Sequence, residues 1–378
     1  MKTLSLDEIL ELILKNPTAP YREAAVLRAI DTFAKERAPR VTLTIDAAGN
    51  RILNVRGSSR APQTPTIAFT AHVDHPALVP DSAGRFELLG RVYPAARLAG
   101  GKICYYRENG EPAGTGVIKS VEEAGSRIFT NLSRAGGEFK TGDYAAFDFP
   151  YLQYDGDRIV GRVCDDLLGA VSILASVEEI LTKNADLTFL AIFTRAEEVG
   201  FVGALAMLEN PFISKTLPIV GLECSAARGG NATIGDGPIV RVGDRIATFD
   251  PAISAFLRDC AEELVKGDTT FRYQRRLMQG GACESTAYQL DGRPAGAMCL
   301  ALGNYHNIPD PDPDDATTGL APEFVSKNDL IGLVKLMTRS VERSANLSDP
   351  WQPTRESLAK RLAASRSRLH ESGEALKS

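Results

Sequence analysis

Long uninterrupted apolar runs are absent from this 378-residue sequence. No stretch approaches the ~20 apolar residues that a membrane-spanning helix needs, so we expect no membrane partner. Near the start of the chain, Asp7, Glu8 and Glu11 interrupt the apolar segment that a secretory signal requires. The six cysteines are scattered without close pairs, which predicts reduced thiols in a cytoplasmic protein rather than a disulfide framework.

A strong excess of one charge is also missing. The chain has 43 basic and 48 acidic side chains, for a formal net charge of −5. This balance gives no electrostatic reason to expect a nucleic-acid partner. Hydrophobic residues make up 44% of the sequence and charged residues 24%, which is typical of a globular protein with a buried core, and the length suits two domains.

The order of sequence patterns predicts an α/β fold that is interrupted once. Short strands alternate with amphipathic helices at both ends of the chain, which indicates a mostly parallel sheet with helices on both faces. Between these parts, short β-rich runs follow one another with Gly and Asn turns and predict a small β-barrel. We therefore expect an α/β domain of residues 1–75 and 160–349, an inserted β-rich domain of residues 76–159, and a C-terminal helical tail of residues 350–378.

Five polar segments stand at or next to the ends of predicted strands. If these strands are parallel, the segments meet at the carboxyl edge of the sheet, where open α/β sheets build their sites. Taken alone, an acidic pair is more often a charge pair at a helix N-terminus, and a His-x-Asp triplet is more often a hydrogen-bonded pair. The argument rests on their order and spacing: His72-Val73-Asp74, Asp165-Asp166, Glu197-Glu198, Glu223 and His306.

Carboxylates that converge with imidazoles in one crevice repel each other when they are desolvated, unless a cation lies between them. Imidazole and carboxylate ligands suit zinc, with cobalt and manganese as alternatives. The number of candidate ligands points to two ions that share one carboxylate.

The motifs TAHVDH, CDDLLGA, TRAEEVGFVGA, GLECS and GNYHN resemble, in order, those of the dinuclear-zinc aminopeptidases. The long β-rich interval between His72 and Asp165 is similar to that of the glutamyl-aminopeptidase, or tetrahedral aminopeptidase, family. Members of that family carry a PDZ-like dimerisation domain at this place. The resemblance covers roughly residues 1 to 349.

This resemblance implies a role for each matching residue. Asp165 would bridge two divalent metal ions, with His72 and Glu223 completing one site and Glu198 and His306 completing the other. Asp74 would orient His72, and Glu197 would be the general base beside a metal-activated water. The implied activity is that of a metallo-aminopeptidase, a hydrolase that removes N-terminal residues from a peptide substrate. The implied assembly is a homo-oligomer, either a dimer or a dodecamer.

Two other functions remain open from the sequence. The same metal pair could serve an amidohydrolase that acts on dipeptides or N-acyl amino acids. A catalytically silent, metal-bound scaffold would have no need of Glu197. The sequence also departs from the family pattern at His75, where Glu is common, and in the acidic loop 308–315, while Glu323 resembles an acidic residue that follows the last histidine.

Overall fold

The computed structural model describes residues 2–81, 84–136, 139–210, 213–230, 232–309, 319–345, 347 and 349–375. The chain forms two compact units, Met1–Ala345 and Asn346–Ser378. Within the described ranges, no helix combines the length and the apolar character needed to cross a membrane. Most of the acidic loop predicted at 308–315 lies outside the described residues, which stop at Pro309 and resume at Gly319.

An eight-stranded sheet forms the centre of the first unit. Its strands, in chain order, are β1 (Val41–Ile45), β2 (Arg51–Arg56), β3 (Ala68–His72), β12 (Thr188–Thr194), β13 (Ile219–Ala226), β14 (Ile239–Asp244), β15 (Gln274–Met278) and β16 (Ala295–Leu302). Their spatial order is β1-β2-β12-β3-β13-β16-β14-β15. The four central neighbours β12, β3, β13 and β16 are all parallel to one another, so their carboxyl ends share one edge.

Helices cover this sheet. They are α1 (Leu6–Leu14), α2 (Ala24–Glu36), α3 (Leu167–Lys183), α4 (Val202–Leu208), α5 (Pro251–Gly267), α6 (Glu284–Leu290) and α7 (Lys327–Ser344). Helix α3 packs against α1 and α7, whereas α4 packs against α6 in a separate group. The α/β fold class with helices on both faces is therefore confirmed.

Two helix starts illustrate how local sequence sets these boundaries. Ser5 and Glu8 form a capping box at α1, in which each side chain accepts a backbone N–H of the other. Helix α2 begins at Ala24, because Tyr21 has a positive φ of 65° and its N–H donates to the Glu23 carboxylate. A sequence pattern could not show this contact.

The β-rich middle of the chain forms a closed antiparallel barrel. Its strands are β4 (Ala77–Pro80), β5 (Phe86–Leu89), β6 (Lys102–Tyr106), β7 (Pro112–Ala124), β8 (Arg127–Gly136) and β9 (Tyr144–Phe147). They are arranged in the order β4-β5-β8-β7-β6-β9, and β9 closes the ring by pairing with β4. Leu78, Leu88, Ile103, Ile118 and Phe147 fill its interior. The small barrel is therefore confirmed as part of the fold, whereas the domain boundaries at 76 and 159 stay predictions.

A small third sheet pairs the segment that follows the barrel with the strand that precedes α7. It contains β10 (Gln153–Asp155), β11 (Arg158–Gly161) and β17 (Glu323–Ser326), with β11 in the middle. In this sheet Gly161 pairs with Glu323. The pairing places Glu323 beside the segment that leads to Asp165.

The second unit contains one long helix, α8 (Gln352–Ala375). The side chains of Leu358, Leu362 and Leu369 are exposed on it. Its charged residues are mixed in sign, as the sequence predicted for the tail.

Candidate metal centre

The predicted ligands come together at the carboxyl edge of the four parallel strands. His72 is the last residue of β3, and Glu198 follows the end of β12. Glu223 lies inside β13, which continues to Ala226 instead of ending at the ligand as the sequence pattern indicated. His306 follows β16 in a short 3-10 turn, where it has a positive φ of 53°.

Asp165 lies between the two imidazoles. Its Oδ1 atom is 3.6 Å from His72 Nε2, and its Oδ2 atom is 3.5 Å from His306 Nε2. Glu223 Oε1 is 3.6 Å from His72 Nε2, and Glu198 Oε1 is 3.2 Å from His306 Nε2. The Asp165–Asp166 peptide bond is cis. The Asp165 carboxylate thus directs one oxygen towards His72 and the other towards His306.

The far side of each imidazole ring is also held. His72 Nδ1 lies 3.2 Å from the Asp74 backbone carbonyl and 3.5 Å from the Asp74 carboxylate. His306 Nδ1 lies within hydrogen-bond distance of the backbone carbonyl of Arg91. When Nδ1 donates to these oxygens, each ring presents an unprotonated Nε2 to the centre, which is the form that binds a metal.

The donor atoms fit a pair of divalent cations. Ligand atoms of His72, Asp165 and Glu223 lie within 4.8 Å of one another, and so do those of Asp165, Glu198 and His306. Two of the carboxylate oxygens, Asp165 Oδ1 and Glu198 Oε1, are buried and have no hydrogen-bond partner in the part of the chain that the structure describes. Such atoms are costly to bury unless a cation occupies the space that they face.

The buried acids and imidazoles shift each other's pKa. Burial raises the pKa of Glu223 to about 8, and the Asp165 carboxylate adds to the rise. Burial also raises the pKa of Glu197 well above its ordinary value. The nearby Glu223 carboxylate raises this pKa further, whereas the His72 imidazole lowers it. Burial alone would lower the pKa of His72, but Glu197 and the other carboxylates raise it well above 6.5. The cluster therefore carries an excess of negative charge that bound cations would balance.

Asp74 supports the segment that carries the two adjacent glutamates. It is fully buried, and its two carboxylate oxygens accept the backbone N–H groups of Glu197 at 2.9 Å and Glu198 at 3.1 Å. Since Asp74 also faces His72 Nδ1, one side chain fixes a ligand ring and the backbone of both glutamates.

Glu23, which precedes α2, supports the same segment, and no sequence pattern had indicated this residue. Its buried carboxylate accepts from Arg195 Nε at 2.9 Å and from the backbone N–H of Ala196 at 3.1 Å. Ala196 has a positive φ of 53°, a conformation disfavoured for alanine that these contacts hold in place. The left-handed turn directs the chain from β12 into Glu197.

Glu323 and His75 hold the remaining ligand segments. Glu323 is fully buried and accepts three backbone N–H groups: Cys164 at 2.7 Å, Asp165 at 3.1 Å and His306 at 2.9 Å. His75 Nδ1 lies 2.8 Å from the Asp165 carbonyl oxygen, and His75 Nε2 lies 3.1 Å from Asn307 Oδ1. Both ring nitrogens of His75 are therefore engaged in contacts that position its neighbours.

Two adjoining cavities open next to these residues. The larger has a volume of about 460 Å³ and reaches Glu197, Glu198 and His306. The smaller has a volume of about 130 Å³ and reaches Glu223 and Arg241. Tyr305 and the turn at 280–282 line both, so the cavities meet beside the candidate metal centre.

Arg241 is a second residue of the site that no sequence pattern had indicated. It is buried and its Nη1 donates to Ser225 Oγ at 3.2 Å, while its Nη2 lies 3.6 Å from Asp244 Oδ2. Its Nε is buried without a hydrogen-bond partner among the described residues. A guanidinium thus forms part of the wall of the smaller cavity.

The middle of the chain is similar to a known protein family. The model of the M42 glutamyl aminopeptidase family matches residues 135–311, a little under half of the chain, and this range includes four of the five candidate metal ligands.

Solved structures share the fold at low sequence identity. An aminopeptidase from the archaeon Desulfurococcus kamchatkensis superposes with a TM-score of 0.70 at 21% identity, covering 91% of this chain and 96% of that one. The TET1 peptidase of Pyrococcus horikoshii, which can assemble into a tetrahedron or a large octahedral shell, gives 0.68 at 20% identity, with 89% and 99% covered. A TET aminopeptidase from a marine sediment archaeon of the Thaumarchaeota gives 0.70 at 16%, with 91% and 99% covered. The family match over residues 135–311, together with the shared fold, confirms the resemblance to the glutamyl aminopeptidase family that the motifs carried and supports a peptide-bond hydrolase.

Proposed function

We propose that the protein is an aminopeptidase with a dinuclear metal centre that hydrolyses the first peptide bond of its substrates. The observation that carries this proposal is the position of Asp165, whose two carboxylate oxygens face two different imidazoles at 3.6 and 3.5 Å. A carboxylate shared in this way is the usual bridge between two catalytic cations.

In this proposal, His72 and Glu223 hold one ion together with Asp165, and Glu198 and His306 hold the other. The mixture of nitrogen and oxygen donors favours zinc, with cobalt and manganese as alternatives. When bound, such ions supply Lewis-acid polarisation of the scissile carbonyl and make water more acidic.

Glu197 is the proposed general base. Its Oε2 atom lies 4.0 Å from His72 Nε2, and the side chain borders the larger cavity. Burial raises its pKa well above the ordinary value, so its carboxylate is more basic than an exposed glutamate. Glu197 takes a proton from the attacking water at its carboxylate and then gives this proton to the departing amine.

The smaller cavity is the proposed site for the side chain of the N-terminal residue. Its volume of about 130 Å³ suits a single side chain, and it lies next to Glu223. Arg241 in its wall favours an acidic side chain there, because a buried guanidinium with an unused N–H is stabilised by a carboxylate. We therefore propose a preference for N-terminal Glu or Asp.

We propose further that the chain forms a homo-oligomer, with the β-rich segment 76–159 as the dimerisation-type domain. The support is the shared fold with the TET1 peptidase, which assembles into closed shells. Light scattering on the purified protein would distinguish a dimer from a dodecamer.

The function can be tested with paired substrates and metal analysis. We expect about two divalent ions per chain, turnover of amino-acyl anilides, and loss of this turnover after chelation with recovery on adding zinc. Exclusive turnover of N-acyl amino acids would instead support the amidohydrolase alternative. A protein that binds metal and turns over neither substrate class would support the silent scaffold.

A further inference from the structure

Three arginines from separate parts of the chain border the larger cavity: Arg91, Arg228 and Arg245. Arg91 follows strand β5 of the barrel, Arg228 follows β13, and Arg245 follows β14. None of them belongs to the motifs that identify the metal centre. Three guanidiniums around one opening form a cationic rim on the cavity that reaches Glu197.

The backbone around this rim is tied to the metal centre. The Arg91 carbonyl oxygen is the partner of His306 Nδ1, so the main chain at Arg91 is fixed next to a ligand. Arg228 Nη2 donates to the backbone carbonyls of Ile308, and of Pro309 at 3.1 Å, and so holds the segment that follows the His306 turn. The main chain at Arg91 and the side chain of Arg228 are therefore both tied to the segment that carries His306.

Two arginines of the rim, Arg91 and Arg245, have no acidic partner among the residues that the structure describes. Arg91 and Arg245 are exposed, and within the described ranges no carboxylate lies within ion-pair distance of either guanidinium. The described carboxylates that border this cavity are Glu197 and Glu198, which we assign to proton transfer and metal binding. Guanidiniums at this opening attract anions, and each one can bind a carboxylate through two parallel hydrogen bonds.

We propose that Arg91 and Arg245 bind a carboxylate on the leaving side of the scissile bond, and that this selects short or acidic peptides. The inference rests on the proposed aminopeptidase function. If the N-terminal side chain occupies the smaller cavity, the rest of the substrate occupies the larger one, whose volume of about 460 Å³ is typical of small-ligand sites. The carboxylate has two sources: the C-terminus of a dipeptide or tripeptide, or an acidic side chain at the second position.

The test uses substrates that share one N-terminal residue. Glutamyl-alanine, glutamyl-alanine amide and glutamyl-glutamate amide are compared by kcat/KM on the zinc-loaded full-length protein. We expect the first substrate to exceed the amide by roughly tenfold, mainly through KM, and the advantage to shrink as salt rises from 50 to 500 mM. A comparable gain for glutamyl-glutamate amide would identify a side-chain carboxylate as a second source, and its absence would restrict the site to the C-terminus.

Matched variants assign the effect to the rim. Arg91→Met and Arg245→Met should bring the ratio of free acid to amide towards one, while Arg60→Met, at an arginine that is 78% exposed elsewhere, should leave it unchanged. Equal kcat/KM for free acid and amide in the unmodified protein, or an unaltered ratio in both rim variants, would overturn the proposal.

A binding measurement separates this inference from the proposed function. Calorimetry measures the affinity of the zinc-loaded Glu197→Gln variant for glutamyl-alanine and for its amide. The contribution of the rim to binding is then measured without turnover. If the unmodified protein hydrolyses neither compound, the aminopeptidase proposal fails, and the ratio of the two dissociation constants still decides the carboxylate site. A preference for the free acid supports the site, and equal affinities refute it.

Discussion

We propose different roles for the adjacent residues Glu197 and Glu198. Glu198 Oε1 faces His306 Nε2 at 3.2 Å, whereas Glu197 Oε2 faces His72 Nε2 at 4.0 Å and borders the cavity. We predict that Glu197→Gln keeps about two metal ions per chain by mass spectrometry but lowers kcat by ~10²–10⁴-fold, since the amide cannot accept the proton. Glu36→Gln, at an exposed glutamate, is the control. Unchanged kcat in Glu197→Gln would remove the general base from the mechanism.

Asp74 acts on the metal centre through other residues. Its carboxylate accepts two backbone N–H groups, and an asparagine in its place would turn an NH₂ donor towards one of them. We predict that Asp74→Asn weakens zinc binding by ~10–100-fold, measured by competition with a chelating dye. Asp31→Asn, at a partly exposed aspartate that pairs with Arg51, should keep the original affinity. Equal zinc affinity in the two variants would show that Asp74 does not orient His72.

At the scale of elements, Glu323 joins the start of β17 to two ligand-bearing turns. It accepts three backbone N–H groups while fully buried, so replacing one of its oxygens leaves a buried donor without an acceptor. We predict that Glu323→Gln lowers the free energy of unfolding by ~1–3 kcal/mol in the presence of chelator, measured by denaturant titration. Glu36→Gln, at an exposed glutamate, should change it by less than ~0.5 kcal/mol. A loss no larger than that of the control would contradict the role assigned to these bonds.

Among the strands and the residues that they carry, some features could be predicted from the sequence and others could not. Strands β3, β12, β13 and β16 have clear apolar patterns, and a ligand follows or interrupts each of them, so the sheet edge and the ligand set could be predicted. Glu23 could not, because its partners Arg195 and Ala196 are more than 170 residues away and periodicity reports only local contacts. Arg241 looked like an ordinary strand residue, since only the packing of β14 against β16 buries it beside Glu223.

For the whole molecule, protonation of the metal centre links stability to pH. Burial raises the pKa of Glu223 from 4.5 to about 8, and His72 and His306 also have raised pKa values. A raised pKa means that the folded state holds the proton more tightly, so the stabilisation is complete below the unfolded value and is lost as pH rises through the folded one. We predict that the Tm of the chelated protein falls between pH ~5 and pH ~9, followed by calorimetry, and that zinc removes this fall because metal binding strengthens as ligands deprotonate. A pH-independent Tm in chelator would contradict this linkage.

The division into two compact units leads to a further prediction. Because residues 1–345 form a unit of their own, deletion of residues 350–378 should leave the Tm and the kcat/KM for amino-acyl anilides unchanged. Calorimetry and light scattering on the full and shortened chains check this. A lower Tm would show that the tail contributes to the fold, and a changed mass with the same Tm would assign it to assembly.

The hydrogen bond between the His306 ring and the Arg91 carbonyl has a consequence for engineering. The carbonyl belongs to the β-rich insertion and the ring to the metal centre, so the insertion supplies part of the geometry of the site. A chimera that exchanges the barrel for another of equal strand number would have to reproduce one main-chain oxygen at the position of residue 91. Grafts matched only at their strand boundaries would misalign the imidazole of His306.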